Sequence, residues 1–314
     1  MILVTGGLGF IGSHAARALL DMGHDCVLAQ RRPAAPSAVV TGARGGRAVT
    51  VTADCTDPAS LLAIGEQHRI TGVLHLAAAP IGGPAAPELA ANMRGLLTVL
   101  EAAQAWQVPR VVLASSIGVY AGATPTGPGA PAFREDAPLP IASPHAIPAA
   151  KKAMENLAAV IDGSGGQEMV CARIGAIWGP LGRPSSPFFA APQLVHAAAG
   201  GAPCPPPAAA AGIDMMYAPD CGRALALLQT APELCHRTYN VASGRVTTNR
   251  ELAAALARAV PGADPVLTDG GGGHPLGAPL SIDRLRADTG YAPGHDLDQA
   301  VTHYLSWLRA GHPR

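Results

Sequence analysis

A glycine-rich segment at the start of the chain constrains its fold more than any other feature. The segment runs Val4-Thr5-Gly6-Gly7-Leu8-Gly9-Phe10-Ile11-Gly12, follows a short apolar run and opens a stretch with helical spacing of apolar residues. Glycines at this spacing allow a tight strand-to-helix turn and a close approach of the backbone to a pyrophosphate. An ordinary glycine-rich turn is the alternative. We predict a dinucleotide site whose contacts here are Gly6, Leu8, Gly9, Phe10, Ile11 and Gly12.

Strand-like and helix-like segments alternate along the chain. The predicted strands are short apolar runs at residues 2–5, 25–30, 47–52, 72–77, 110–114, 170–174 and 213–217. The predicted helices of the second half lie at residues 186–200 and 219–231. This alternation predicts an α/β fold built on a Rossmann-type doubly wound parallel sheet. We expect residues 1–170 to form the dinucleotide-binding domain, and residues 171–314 to form mainly a smaller, interleaved substrate-binding lobe.

Charge and cysteine content exclude several classes of protein. The 314 residues include 22 Lys+Arg and 22 Asp+Glu, so the chain lacks the excess positive charge that nucleic acid or an anionic membrane attracts. The six cysteines are scattered and have no zinc-site spacing, which predicts no metal. We expect neither a signal peptide nor a membrane span, and therefore a cytoplasmic protein. Charged residues make up only 14% of the chain, which favours self-association, such as a homodimer.

The end of the second predicted strand bears on the choice of dinucleotide. Proteins that bind NAD usually place a carboxylate there for the ribose 2′-hydroxyl. This chain has Gln30-Arg31-Arg32 instead, and guanidinium groups bind phosphate through paired hydrogen bonds. Two solvated loop arginines are the alternative. We predict NADP(H), with Arg31 and Arg32 at its 2′-phosphate.

Motifs along the whole chain resemble those of the extended short-chain dehydrogenases/reductases, the group of NAD-dependent nucleotide-sugar epimerases and dehydratases. Besides the glycine segment, the resemblance rests on His75-Leu76-Ala77-Ala78, Asn92-x-x-Gly95, Ala114-Ser115-Ser116-x-x-Val119-Tyr120 and Arg173–Pro180. It implies a Rossmann fold and a nicotinamide dinucleotide, with Ser116 at the position of the catalytic serine or threonine. The cofactor contacts that it implies are Asp54, Cys55, Leu76, Ala77, Ala78, Asn92, Lys151, Ile174 and Ala176.

The chain departs from this family at the proton donor. The family's tyrosine stands four residues before an active-site lysine, and here Ile147 stands four residues before Lys151. Isoleucine can neither donate nor accept a proton. Pro148 also disfavours a helical conformation at Ile147. The candidate substitutes are His145, Tyr120, Tyr217 and Ser116.

A second departure concerns the substrate. Ile213 stands where the nucleotide-sugar enzymes carry an arginine for the diphosphate, and Ala176 stands where an asparagine is usual. Loss of the diphosphate ligand favours an apolar substrate. For the aromatic and methionine residues of this region, a position in the core is the alternative. The candidate substrate contacts are Ser116, Ile147, Trp178, Phe188, Met215 and Met216.

These features together predict an NADPH-dependent ketoreductase that reduces a ketone of an apolar aromatic, angucyclinone-type polyketide in antibiotic biosynthesis. Lys151 would hold the nicotinamide ribose, Ser116 would hydrogen-bond the carbonyl, and the proton would come from a substrate phenol or from water. Two alternatives remain open. One is a nucleotide-sugar epimerase or dehydratase with a retained cofactor, and the other is a non-catalytic NADP(H)-sensing protein.

Overall fold

A parallel sheet of seven strands forms the centre of the chain, in the order β10-β6-β5-β4-β1-β2-β3. The structure is a computed structural model that describes residues 1–79, 83–127, 131–164, 166–270 and 274–312. Its strands are β1 (Ile2–Thr5), β2 (Cys26–Gln30), β3 (Ala48–Thr52), β4 (Gly72–His75), β5 (Arg110–Ser116), β6 (Glu168–Ile174), β7 (Ala176–Trp178), β8 (Gly212–Ile213), β9 (Met215–Tyr217), β10 (Thr238–Val241) and β11 (Thr247–Thr248). The sheet confirms the predicted Rossmann-type, doubly wound architecture.

Helices cover both faces of this sheet. They are α1 (Phe10–Asp21), α2 (Ala38–Thr41), α3 (Pro58–Gln67), α4 (Ala85–Ala105), α5 (Ala146–Gly163), α6 (Ala191–Ala198), α7 (Ala218–Thr230), α8 (Asn249–Ala259), α9 (Asp283–Thr289) and α10 (Leu297–Arg309), with a short 3-10 helix at Ile117–Tyr120. Helices α1 and α7 pack on one face, and α3, α4 and α5 pack on the other. Successive residues of β1 therefore enter opposite cores: Val4 joins the first and Leu3 joins the second. Both faces are buried, which explains the unbroken apolar runs of these strands.

The second half of the chain divides between the sheet and a smaller peripheral part. Strand β10 pairs with β6 at the edge of the main sheet, and α7 packs across β4, β5 and β6. The peripheral part contains the short pairs β7–β9 and β8–β11, together with α6, α8 and α10. The predicted boundary at residue 170 falls inside β6, and the division of the chain into two domains stays a prediction.

Two predicted elements differ from the structure. The helix predicted at residues 186–200 is confined to α6, because the residues before Ala191 form bends around Pro187 and the helix begins with Pro192 in its first turn. The strand predicted at residues 213–217 is interrupted at Asp214. The buried carboxylate of Asp214 accepts hydrogen bonds from the backbone of Ser243 and Leu280, which ties this kink to two other segments.

Two kinds of feature are absent from the described residues. No helix among them combines the length and the apolar character that crossing a bilayer requires. No group of three or more His, Cys, Asp and Glu side chains among them is arranged to hold a metal ion.

Candidate dinucleotide and catalytic site

A cleft of about 300 Å³ opens at the carboxyl ends of β1, β2 and β4. Strands β1 and β4 are neighbours in the sheet, but the helices that follow them, α1 and α4, pack on opposite faces. Doubly wound sheets bind their ligands in the crevice between two such strands. The residues that line the cleft are Gly6, Gly9, Ala29, Gln30, Arg31, Ala53, Asp54, Cys55, Thr56, His75, Leu76, Ala77, Ala78, Ala79, Ala91, Asn92 and Gly95. The structure thus brings residues from five segments of the sequence into one cleft.

The turn between β1 and α1 has room for glycine only. Gly6 has φ +67°, a conformation that side chains rarely adopt, and a Cβ on Gly12 would lie 2.1 Å from the carbonyl oxygen of Gly6. Gly9 is the N-cap of α1 and offers no side-chain hydrogen bond. The N–H groups of the first turn of α1 therefore remain for an anionic ligand, as a pyrophosphate requires.

The cleft also holds an unpaired polar atom at the end of β2. The amide oxygen Oε1 of Gln30 is buried and has no hydrogen-bond partner in the structure. Both arginines that follow are exposed, but Arg31 lines the cleft and Arg32 does not. A buried acceptor without a donor is unfavourable, so this oxygen suits a ligand hydroxyl. The N–H groups of the turn, the guanidinium of Arg31 and the amide oxygen of Gln30 together fit a dinucleotide.

Asp54, which follows β3, also lines the cleft. Its Oδ1 accepts hydrogen bonds from the backbone N–H of Thr56 (2.9 Å) and from its hydroxyl (2.8 Å). These two bonds, with a smaller contribution from the charge of Arg31, hold the pKa of Asp54 below its usual range. The carboxylate remains charged, and Oδ2 can accept a hydrogen bond from an adenine amino group. Cys55, the next residue, also lines the cleft.

A hydrogen-bonded pair, Thr5 and His75, shapes the wall after β4. The Thr5 hydroxyl accepts from the backbone N–H groups of Leu76 and Ala77 (3.2 Å each), so its own proton is directed to Nδ1 of His75 (2.8 Å). Burial lowers the pKa of His75 to about 3, which keeps the imidazole neutral. Asn92 extends this wall, because its Oδ1 accepts from the backbone N–H of Ala79 at 3.0 Å. Sequence analysis assigned no role to Thr5, although its place next to the glycine motif was a usable signal.

Ser116 is the last residue of β5, and Lys151 bonds the same strand two residues earlier, at Ala114. The Ser116 hydroxyl accepts from the backbone N–H of Gly118 (3.0 Å), and its own proton remains available for an oxygen of a substrate. Lys151 extends from α5 and donates from Nζ to the carbonyl oxygen of Ala114, at 2.5 Å. Burial lowers the pKa of Lys151 to about 8. The two groups therefore offer a hydroxyl donor and a buried ammonium beside one strand end.

Ile147 lies in the first turn of α5, one helical turn before Lys151 on the same face. The expectation that Pro148 would disfavour helix at Ile147 is wrong. Proline is tolerated in the first turn because its missing N–H has no partner there in any helix. The helix thus presents an apolar side chain where the family carries its proton donor.

Of the alternative proton donors, Ser116 has a free hydroxyl proton, whereas Tyr120, Tyr217 and His145 are each engaged elsewhere. The Tyr120 hydroxyl is buried, donates to Asn240 and accepts from Arg173. The Tyr217 hydroxyl bonds Nδ1 of His303 in another part of the fold. His145 is the exposed N-cap of α5, and its ring stacks on Phe188 at 6.1 Å between centroids. The structure gives the two tyrosines packing roles and places His145 at the surface.

The predicted substrate contacts fall into two groups. Trp178 and Met216 are buried in the core, where Trp178 packs against Tyr217 (5.3 Å between ring centroids), and Met215 is buried beside them. Their contacts give them packing roles, and their part in a substrate site stays a prediction. Phe188 is 46% exposed and is the one aromatic residue of the predicted set with a solvent-facing ring. Ile174 and Ala176 end β6 and begin β7, outside the cleft-lining set, and their cofactor contacts also stay predictions.

Comparisons with known proteins agree with this site. Residues 2–242 match the NAD dependent epimerase/dehydratase family. The UDP-glucose 4-epimerase of Azospirillum brasilense is 29% identical over 98% of this chain and 92% of its own length. The dTDP-glucose 4,6-dehydratase of an Actinoplanes strain is 27% identical over 98% of both chains. The crystal structure of Thermus thermophilus UDP-glucose 4-epimerase in complex with NAD superposes with a TM-score of 0.78, at 26% identity over 98% of both chains.

The protein belongs to the NAD dependent epimerase/dehydratase family, and its cleft is a site for a nicotinamide dinucleotide. The prediction of a ketoreductase for an aromatic polyketide is contradicted. Relatives that match almost the whole chain are named for reactions of UDP-glucose and dTDP-glucose instead. That prediction rested on the absence of a tyrosine at Ile147 and of an arginine at Ile213. The loss of a feature does not identify a substrate.

Proposed function

We propose that this protein is a nucleotide-sugar epimerase or dehydratase that works with a bound nicotinamide dinucleotide. The observation that carries the proposal is that Ser116 ends β5 while Lys151 bonds the carbonyl oxygen of Ala114 on the same strand, in a sheet whose strand ends form a dinucleotide cleft. The similarity of the chain to sugar-nucleotide enzymes over almost its full length supports the same substrate class.

Each residue of the site has a separate role in the proposed reaction. The glycine turn and the cleft residues would hold the dinucleotide, which would supply reversible hydride transfer at a sugar carbon. Ser116 hydrogen-bonds the oxygen on that carbon, and the ammonium of Lys151 stabilises negative charge that develops there. Ile147 carries no exchangeable proton, so the proton of the sugar hydroxyl passes to water or to another group of the substrate. This loss predicts slow turnover, because a positioned general acid contributes about 10²–10⁴-fold.

We propose NADP(H) as the dinucleotide. No carboxylate stands at the end of β2 to repel a 2′-phosphate, and Arg31 lines the cleft there. The unpaired amide oxygen of Gln30 is available to a ribose hydroxyl. Arg31 is the guanidinium that would face the phosphate, since Arg32 lies outside the cleft.

The experiment is calorimetric titration of the dinucleotide-loaded protein with UDP-glucose and dTDP-glucose, followed by chromatography of the sugars. We expect saturable binding of at least one of them and slow conversion of its sugar. Ile147→Tyr should raise the rate by about 10²-fold over Ile147→Phe, which adds the ring without the hydroxyl. Absence of binding by both nucleotide sugars would contradict the proposal.

A second candidate is a non-catalytic protein that senses NADP(H). It is favoured by the apolar side chain of Ile147 at the position where the family carries its proton donor. This candidate predicts dinucleotide binding without conversion of any sugar nucleotide. It also predicts no turnover in Ile147→Tyr, which separates it from a slow enzyme. For either function we propose a cytoplasmic location and a homodimer.

A further inference from the structure

His75 ends β4 among the residues that line the dinucleotide cleft, and its ring is hydrogen-bonded on one side only. Nδ1 lies 2.8 Å from the Thr5 hydroxyl, whereas Nε2 has no hydrogen-bond partner among the described residues. The residue is 7% exposed, yet it lines the cleft. Because Nδ1 faces Thr5, the ring edge that remains for the cleft is the edge that carries Nε2. A buried polar atom without a partner is unfavourable, so Nε2 suits a group of a bound ligand.

The hydrogen bonds around Thr5 determine which nitrogen of His75 carries the proton. The Thr5 hydroxyl accepts from the backbone N–H groups of Leu76 and Ala77 (3.2 Å each), which occupies its two lone pairs. The thiol of Cys55 also contacts Thr5, but sulfur is a weak acceptor. The hydroxyl proton is therefore donated to Nδ1 of His75, which must be unprotonated to accept it. The neutral ring then carries its proton on Nε2, which makes Nε2 a donor.

The imidazole of His75 is an uncharged donor at neutral pH. Burial, with a smaller contribution from the charge of Lys151 on α5, lowers the pKa of His75 to about 3. An uncharged N–H group binds an oxygen through the direction of one hydrogen bond rather than through charge. Its contribution to binding is therefore specific to one position of the ligand.

The position of β4 in the sheet indicates which half of a dinucleotide this donor meets. Arg31 follows β2 and Asp54 follows β3, on one side of the glycine turn at the end of β1. Strand β4 lies on the other side of β1, next to β5, which ends at Ser116. A dinucleotide with its adenosine at the ends of β2 and β3 therefore has its nicotinamide half at the ends of β4 and β5.

We propose that His75 binds the nicotinamide half of the dinucleotide: its Nε2–H group donates to an oxygen of the nicotinamide ribose, and Thr5 holds the ring in the tautomer that can donate. Thr5 is a positioning residue, since it acts through His75. The role of His75 deepens the proposed function, because it rests on the dinucleotide site. It does not depend on which sugar nucleotide the enzyme converts.

The tautomer of His75 is measured in the dinucleotide-free protein. Two-bond ¹H–¹⁵N NMR spectra of [¹⁵N]histidine-labelled protein distinguish a protonated ring nitrogen from an unprotonated one, and the signals of His75 are those missing from His75→Asn. We expect a neutral ring with its proton on Nε2. Thr5→Val removes the hydroxyl donor and should let the Nδ1–H form appear, whereas Thr5→Ser should keep the Nε2–H form. A proton on Nδ1 in the unmodified protein would overturn the proposal, as would an unchanged tautomer in Thr5→Val.

Calorimetric titrations with NAD⁺, ADP-ribose and ADP test the contact itself, because the first two ligands carry the second ribose and ADP lacks it. His75→Asn keeps a group that can bond Thr5 but has no donor at the place of Nε2. It should weaken the binding of NAD⁺ and ADP-ribose by about tenfold and leave that of ADP within about twofold. His75→Gln, whose amide nitrogen can reach the place of Nε2, should restore most of the lost affinity.

Two results of these titrations would overturn the proposal. One is an unchanged affinity of His75→Asn for NAD⁺ and ADP-ribose, and the other is an equal loss for ADP, which would place the effect outside the nicotinamide half. Failure of the unmodified protein to bind nucleotide sugars would contradict the proposed function and leave both measurements on His75 unaffected.

Discussion

At the scale of single residues, two pairs of adjacent residues have the same charge but different roles. In each pair, two arginines or two lysines, only one residue reaches the site. Arg31 lines the cleft and Arg32 does not. Both lysines are half-buried, but Lys151 bonds the carbonyl of Ala114 on β5, whereas Lys152 bonds the carbonyls of Pro140 and Ala142 outside the cleft. The sequence shows both members of each pair and does not distinguish them. Each pair therefore provides a matched comparison.

The first prediction concerns the choice of dinucleotide. Arg31→Ala should weaken NADPH binding by about tenfold or more, because a guanidinium pairing with phosphate contributes more than a solvated one. The affinity for NADH should change little. Arg32→Ala is the control and should leave both affinities within about twofold of the unmodified protein. Fluorescence titration with the two cofactors measures this, and equal effects of the two substitutions would refute the assignment.

The second prediction concerns stability and pH. Burial lowers the pKa of Lys151 from 10.5 in the unfolded chain to about 8, so folding is penalised while the lysine is protonated in both states. Below about pH 8 the penalty is complete, and it disappears as pH rises from about 8 to 10.5. Lys151→Met should therefore raise the free energy of unfolding at neutral pH, by up to about 3 kcal/mol. This gain should shrink above about pH 8.

Urea unfolding at neutral and at alkaline pH measures this difference. Lys152→Met is the contrasting variant and should lower stability, because it loses the hydrogen bonds to Pro140 and Ala142. If Lys151→Met proves less stable than the unmodified protein at neutral pH, the ammonium is better solvated than its burial implies.

At the scale of elements, the turn between β1 and α1 combines a sequence signal with a steric requirement. The glycine spacing predicted the turn, and the structure shows the reason: the backbone at Gly6 and Gly12 approaches too closely for a side chain. The ends of β2, β4 and β5 contribute the rest of the site. Their side chains meet because parallel strands end at the same edge of the sheet.

The third prediction tests this turn. A methyl group on Gly12 would lie 2.1 Å from the carbonyl oxygen of Gly6, so Gly12→Ala must displace the turn. Dinucleotide affinity should fall by about tenfold or more, which corresponds to about 1.4 kcal/mol. Gly163→Ala, at the end of α5, is the control, because the space around its Cβ is open and alanine favours helix. Calorimetry measures the dinucleotide affinity of both variants. A loss of affinity in Gly163→Ala as well would contradict a steric effect confined to the turn.

At the scale of the whole molecule, an apolar surface remains on the helices of one face of the sheet. Leu97 on α4 is 46% exposed, and Leu157 and Val160 on the adjacent α5 are 37% and 73% exposed. Exposed large side chains on two packed helices form a surface suited to a second copy of the chain. The low charge content of the sequence predicted self-association, which stays a prediction, and we propose that a second copy would pack on this surface.

The fourth prediction follows from this surface. Sedimentation velocity should show a dimer that Leu97→Asp and Val160→Asp each convert to monomer. Val266→Asp, a substitution of a 68% exposed valine elsewhere on the molecule, should leave the dimer intact. A monomer in the unmodified protein, or dissociation by the control, would reject the two-helix interface.

The sequence by itself determined the features that depend on local patterns: the order of strands and helices in the first half, the glycine turn, and the positions of Ser116 and Lys151. These are encoded in periodicity and in short motifs, which act over a few residues. Only the tertiary structure decided which polar groups meet. Glu155 joins Ser115 and Arg173 across 40 and 18 positions of sequence, and Thr5 joins His75 across 70.

The same distinction explains where the predictions and the structure differ. Trp178 and Met216 are buried in the core, and their part in a substrate site stays a prediction, because an apolar side chain suits a core and a binding site equally well. Asp214 interrupts a predicted strand because its partners, Ser243 and Leu280, come from distant segments. The substrate was misassigned for a related reason. The absence of a side chain from one position carries no information about what the assembled site binds, since binding depends on the groups that are present.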